Sequence, residues 1–381
     1  MQIVNGPGFD RAFEAACELF SCFDFSALSK TPQDPAHHGE GDILTHTRMV
    51  CRALWEDKAF QALDARERAL LFSSALLHDI GKIKTTRVEA GSVISPNHAR
   101  TGSSLIRETL WSQMDLCGDG PSQSFRETLC ALVRWHMLPM HLADAPDAPL
   151  RARKAASLGE LLPLFTWRKL LLLARTDALG RVCADRAELL EKVELALLTA
   201  EESGCLGGPW PFPDAHTRRA YLSGRRLSPS YSLYDDSWGE VLIMCGLPGT
   251  GKDYWLRHEH PELPCVSLDD IRRSWGVAPE KPQGAVAAEA KARARAYLRK
   301  RQSFAWNATS LTPDTRAGVV TLCEAYGARV KIVYLETREP VRQHRNAERK
   351  HPVPEHATRA MLSKLTPPQP WEADKVEWKL V

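Results

Sequence analysis

The chain has no CxxC cysteine pair, no long apolar run and no large surplus of charge, and each absence removes a class of protein. Its ten cysteines are scattered through apolar segments of a 381-residue chain, so they read as reduced core thiols, not a disulfide framework. No stretch approaches the roughly 18 apolar residues of a membrane span. The N-terminus, MQIVNGPGFD, lacks a basic region leading into an apolar run, so no membrane partner is expected and the cytoplasm is the simplest compartment. With a net charge of only +3 and 25% charged residues, any affinity for nucleic acid has to be local.

What is present centres on EVLIMCGLPGTGKDYW, Glu240 to Trp255. An apolar run that turns through glycines into Gly-Lys delivers phosphate to a helix N-terminus. Gly246, Gly249, Thr250 and Gly251 form the turn, and Lys252 reaches toward the β and γ phosphates of a nucleoside triphosphate. Asp253 then stands where the pattern has Ser or Thr, so a carboxylate replaces the hydroxyl that normally meets magnesium. More than 200 residues precede this loop, so the expectation is a multidomain chain. Its parts are an all-α domain over 1–203, a Pro- and Gly-punctuated adapter over 204–239, and an α/β P-loop domain with a parallel sheet over 240–381.

The first half reads as helices. Asp64 caps ERALLFSSALLHDIG, Ser124 and Glu127 form a capping box ahead of TLCALVRWHML, and Thr166 precedes WRKLLLLARTDALGRV. Seven of the 13 histidines fall in the first 150 residues. Neutral imidazoles mixed with carboxylates suit borderline divalent metals, which generate hydroxide at neutral pH. The set LTHTRMV, LLHDIGK, NHARTGSSLIR, VRWH and ARTDALGR resembles an HD-domain phosphohydrolase over residues 35–190. HHGEGDILTHT is especially similar to the HD domains appended to some tRNA nucleotidyltransferases. The resemblance implies that His46, His78, Asp79 and Asp177 hold one divalent metal, and that His98 and His136 hold a second one sharing Asp79. It also implies that Lys82 grips the scissile phosphate. His141 is open as an alternative to His136. His37, His38, Glu40 and Asp42 are open to capping, substrate contact or metal binding.

The second half alternates strands and helices. PCVSL, SFAWNA and ARVKIVYLE read as strands after the loop, with a basic helix over 286–301 and WEADKVEWKL as a closing strand or packed tail. Asp269 with Arg272, NATSLTP after a strand, and RQHRNAERKHPVP together resemble the 5′-hydroxyl polynucleotide kinases of the P-loop superfamily. That resemblance implies Asp269 as general base, with Asp270 its alternative, and Arg272 on the phosphate next to the acceptor nucleoside. Arg345 and Arg349 then form a lid over the donor, which is ATP or another NTP with Mg2+. In the adapter, Arg218, Arg219, Arg225, Arg226, Tyr221, Tyr231 and Tyr234 form either a nucleic-acid surface or a set of solvated charges with tyrosines packing the two domains together.

As a whole the chain resembles the bacterial bifunctional HD-domain polynucleotide kinases, which heal RNA ends. The implied partners are RNA or DNA ends, with a functional link to a nucleic-acid ligase. Two other classes stay in view: a small-molecule kinase fused to an HD nucleotidase, and a nucleotide-sensing regulator.

Overall fold

A computed structural model describes residues 8–113, 122–225, 227–278 and 281–381. The chain divides into two compact units, Met1–Trp210 and Pro211–Val381. Cys117 and Arg226 lie outside the described residues.

The first unit is helical. At its centre runs the helix Ala65–Leu77, buried without a break from Ala69 to Leu77. A helix apolar on all sides belongs in the middle of a domain, where each buried leucine contributes roughly 1.5–3 kcal/mol. Ser73 and Ser74 are tolerated there because their hydroxyls donate to Ala69 O and Leu70 O. Asp64 caps this helix by accepting from Glu67 N, and Thr166 likewise caps Trp167–Leu179.

One expectation needs correction. The helix Ser122–Trp135 already includes Ser124, so Ser124 is no cap, and Glu127 is instead drawn into the core by Arg107 and Arg126. The helical unit, as expected, carries only one short strand pair among its described residues. Strands β1 (Arg87–Glu89) and β2 (Ser92–Ile94) form an antiparallel hairpin, turned by Ala90 and Gly91 at φ 50° and 84°.

The second unit carries five parallel strands: β3 (Glu240–Cys245), β4 (Cys265–Ser267), β5 (Ala305–Asn307), β6 (Arg329–Glu336) and β7 (Lys375–Leu380). Their order is β4-β5-β3-β6-β7. Leu242, Met244, Ala305, Val333 and Leu335 make a core with Leu256 of the helix Lys252–Glu259. Strand β3 lies between β5 and β6; the chain leaves β3 toward β4 on one side, and leaves the adjacent β6 toward β7 on the other, so a crevice opens at the C-terminal ends of this pair. That crevice is where open α/β sheets bind ligands.

The adapter residues from 211 onward pack on this second unit. Arg218 donates to Asp374 O, Arg219 pairs with Glu324 and donates to Trp371 O, and Tyr221 is buried. These three are packing residues, whereas Tyr231 and Tyr234 stay exposed. The nine described cysteines are free. Cys51, Cys130, Cys205, Cys245 and Cys323 are buried, Cys17, Cys22 and Cys183 are half-buried, and Cys265 is exposed, so the reading of a wholly core set is too broad. No described helix is long and apolar enough to cross a membrane.

Candidate metal centre and phosphate loop

In the first unit four imidazoles converge on Asp79 and Asp177. His46 comes from the helix Ile43–Glu56, His78 and Asp79 from the turn ending the central helix, and His98 from the start of His98–Gln113. His136 follows Ser122–Trp135, and Asp177 lies in Trp167–Leu179. Gly81 permits the convergence, because a Cβ there would meet His98 O at 2.1 Å and Gly102 N at 2.5 Å.

The hydrogen bonds at the far side of each ring fix its protonation. His78 Nδ1 donates to Ala75 O at 2.8 Å, His98 Nδ1 to Ser95 O at 3.0 Å and His136 Nδ1 to Val133 O at 2.8 Å. A carbonyl only accepts, so Nδ1 carries the proton and Nε2 presents a lone pair inward. His46 Nδ1 faces Glu40 Oε1 at 2.8 Å, and its Nε2 lies 3.1 Å from Asp177 Oδ1 and 3.9 Å from Asp79 Oδ2. His78 Nε2 lies 3.3 Å and His98 Nε2 3.4 Å from Asp79. Buried His78 Nε2 has no hydrogen-bond partner. Three triplets, His38–Glu40–His46, His46–His78–Asp79 and Asp79–His98–His136, have donor atoms spaced to hold a cation, and the last two share Asp79. The donor set fits one or two divalent metals sharing Asp79.

Asp79, Asp177 and His136 already hold the protonation state a cation needs, whereas His46 has to release a proton to bind one. Burial alone would raise the carboxyls of Asp79 and Asp177, yet both are held well below the usual range, Asp79 chiefly by Lys82, His78 and His98, and Asp177 by Arg181, His46 and His78. Burial, aided by His78 and His98, pushes His136 down to about 3. For His46 burial pulls down, but Asp177, Glu40 and Asp79 overcome it and lift the ring to about 9.

Beside this cluster is a cavity of about 200 Å³ lined by Gln33, His38, Asp79, Lys82, His98 and Arg181, among others. Lys82 Nζ donates to Asp79 Oδ2 at 2.8 Å and to Gln33 Oε1 at 2.9 Å. Arg181 pairs with Asp177 at 3.0 Å. Of the four residues left open in the loop, Asp42 caps the helix Ile43–Glu56 and His37 is an exposed partner of Asp185. His38 Nδ1 shares Glu40 Oε1 with His46. His141 is exposed and takes no part in the cluster. Glu40 was open to capping, substrate contact or metal binding, and its place here is behind His46; Gln33 and Arg181 received no role from the sequence. Only Arg181 had a local signal, its i,i+4 spacing from Asp177.

In the second unit the loop after β3 leads into Lys252–Glu259 with Gly246, Gly249 and Gly251 at φ 146°, 86° and 87°. Gly249 is required twice over, by that φ and because a Cβ would meet Arg342 O at 2.6 Å. Lys252 Nζ donates to Gly246 O at 2.8 Å and Leu247 O at 2.9 Å. Burial drops its pKa to about 8, opposed by Asp253 and Asp269 and helped by Arg349. The Thr250 hydroxyl is buried and donates to Leu247 O, and its backbone N–H points to the same carbonyl, so Thr250 braces the loop from within.

Around the loop, Asp269 pairs with Arg272 and lies 3.8 Å from Arg349, while Asp270 pairs with Arg273. Arg272 Nε also donates to Gln283 Oε1 at 2.8 Å. Arg345 Nη1 would sit 3.4 Å from a Cβ on Gly251. The structure thus brings Lys252, Arg345, Arg349, Asp269 and Arg272 to one edge of the sheet.

Residues 43–163 match the HD domain family and residues 241–368 match the AAA domain family. The chain is a helical HD domain followed by an AAA-type P-loop domain. The HD match includes His46, His78, Asp79, His98 and His136, and Asp177 lies beyond its end. The chain is also similar to a protein named Multifunctional CCA protein from Halorhodospira halophila, 32% identical over 145 residues. That match covers 37% of this chain and 29% of the relative, so the chain spans less than a third of the relative's length.

Proposed function

We propose that this chain is a bifunctional nucleic-acid end-healing enzyme of the HD-domain polynucleotide kinase type. The P-loop half transfers the γ-phosphate of ATP or another NTP to a 5′-hydroxyl end. The HD half hydrolyses 2′,3′-cyclic phosphate and 3′- or 2′-phosphate ends. The observation that carries this reading is the approach of Arg349 to Asp269. Arg349 follows the helix Glu339–Ala347 packed on the phosphate loop, and Asp269 opens the helix after β4, so donor and acceptor groups meet beside Lys252.

The chemistry follows from the groups present. Asp269 accepts the proton of the attacking hydroxyl, and Arg272 holds the phosphate 3′ to that nucleoside. Lys252, Arg345 and Arg349 neutralise charge on the transferred group, which is most of what phosphoryl transfer asks of a protein. In the HD half, a bound divalent metal supplies hydroxide at neutral pH. Asp79, Asp177 and the four imidazoles hold it, while Lys82 and Arg181 place positive charge at the cavity where a phosphate diester or monoester enters. The likeness to a Multifunctional CCA protein supports an RNA-linked substrate.

One assay tests both halves. An RNA oligonucleotide with a 5′-hydroxyl and a 2′,3′-cyclic phosphate is incubated with ATP, magnesium and a panel of transition metals, and each end is read by mass. Lys252→Ala is expected to abolish only 5′ phosphorylation, and Asp79→Ala only 3′-end processing. Turnover of mononucleosides with oligonucleotides untouched would replace this reading with a nucleoside kinase fused to a nucleotidase.

A further inference from the structure

The residue after the phosphate-loop lysine is Asp253, and its carboxylate has a specific partner. Asp253 Oδ1 accepts from Asn307 Nδ2 at 2.5 Å. Asn307 is the last residue of β5, which pairs directly with β3, the strand that feeds the loop. In P-loop NTPases a loop Ser or Thr hydroxyl and a strand-end Asp together hold the magnesium that bridges the β and γ phosphates. Here the carboxylate is on the helix and a neutral amide is at the strand end, and the two side chains touch. The pair still carries one negative charge.

Two further facts bear on that charge. Asp253 is exposed and, among the described residues, ion-pairs with no Lys, Arg or His. Its neighbour Lys252 turns its ammonium to the loop carbonyls instead. A first-turn carboxylate gains from the helix dipole, but that alone gives no reason for an amide aimed at it from the adjacent strand. The amide donates through nitrogen, which orients the carboxylate and leaves its other oxygen for a cation.

We propose that Asp253 is the carboxylate of the magnesium–nucleotide site in the kinase half, with Asn307 as its orienting partner, so that the carboxylate stands on the helix in place of the usual hydroxyl and an amide stands at the strand end in place of the usual carboxylate. The assignment rests on the P-loop half binding a magnesium–triphosphate and not on the identity of the acceptor. It has a consequence with a distinctive sign. Without metal, the carboxylate repels the triphosphate; with metal, it recruits it.

The experiment measures the affinity of the full chain for a non-hydrolysable ATP analogue with and without Mg2+. Electron paramagnetic resonance of Mn2+ in the nucleotide complex serves as a second readout. In wild type, magnesium tightens the analogue. Asp253→Asn is expected to reduce that tightening about tenfold or more, while metal-free affinity holds or improves. The double variant Asp253→Ser with Asn307→Asp, which returns the hydroxyl to the helix and the carboxylate to the strand, is expected to recover the coupling. Wild-type magnesium coupling in Asp253→Asn would overturn the assignment, as would equal loss of metal-free and metal-bound affinity. Analogue binding by a wild-type chain that phosphorylates no polynucleotide would sink only the acceptor reading and leave the metal assignment in place.

Discussion

The Nε2 atoms of His98 and His136 lie 3.5 Å apart, each on a ring whose Nδ1 is committed to a backbone carbonyl. Two lone pairs at that separation repel unless a cation lies against both. Metal is therefore expected to act on stability as well as on chemistry. Chelated protein titrated with Mn2+, Co2+, Ni2+ or Zn2+ should gain about 2.7 kcal/mol at a metal concentration 100 times its Kd. Calorimetry reads this as a rise in the melting temperature of the HD unit. In Asp79→Ala the rise should fall sharply, since Asp79 belongs to two of the three donor triplets.

Glu40 holds the first histidine from behind. Its Oε1 faces His46 Nδ1 and its Oε2 accepts from Val182 N at 2.9 Å, so it ties the His46 helix to the segment just after Asp177. A carboxylate behind a ligating imidazole orients the ring and raises its basicity. Glu40→Gln is expected to weaken metal binding about 10- to 100-fold while leaving 5′ phosphorylation intact. Metal titration followed by hydrolysis at saturating metal separates the two effects. Hydrolysis that stays lost under saturating metal would give Glu40 a role beyond positioning.

What could be read ahead of the structure was whatever short-range spacing encodes. His78 and Asp79 are adjacent, Asp64 lies three residues before the amide it caps, and the glycines of the phosphate loop sit next to the strand that presents them. Glu40 had no such signal, because its meaning depends on Val182, 142 residues away. Gln33 is likewise defined only by Lys82, 49 residues on. Ser124 and Glu127 had the right spacing for a capping box, yet the buried arginines Arg107 and Arg126 claim the carboxylate, a tertiary contact that overrides the local pattern. The hairpin around Ala90 and Gly91 escaped because its turn lacks the Asn-Gly or Asp-Gly pair that marks such turns. Arg218 and Arg219 read as surface cations until their carbonyl partners, more than 150 residues later, are in view.

Arg316 supports the kinase edge from below. It is fully buried and makes a two-point pair with Glu372, Nε to Oε2 at 2.6 Å and Nη2 to Oε1 at 2.8 Å. Its Nη1 donates to Ser310 O at 2.9 Å, and Ser310 sits at φ 47° in the segment after β5. Removing one partner of a buried pair leaves the other charge uncompensated, at a cost of about 3–5 kcal/mol. Arg316→Met is expected to lower the stability of the second unit by about that amount, read by denaturant unfolding. Replacing both partners with apolar residues should recover much of the loss. A near-neutral single variant would mean that Glu372 finds another cation or water.

Lys252 gives the nucleotide site a proton signature. Its pKa is about 8 in the folded chain against an ordinary 10.5, so between those values the unfolded chain binds more protons, and this group makes stability rise with pH across that window. Below pH 8 the penalty for burying the ammonium is fully present. A bound triphosphate supplies the missing anion and raises the pKa again. Binding at pH 8.5 is therefore expected to take up protons, most of one proton from this group, about three-quarters, since a site with a pKa near 8 is only about one-quarter protonated there. Uptake should fade toward pH 7. Calorimetric titration of a non-hydrolysable ATP analogue in buffers of different ionisation enthalpy measures it, and Lys252→Arg, charged throughout, should remove it. Proton release at pH 8.5, or uptake unchanged in Lys252→Arg, would place the titrating group elsewhere.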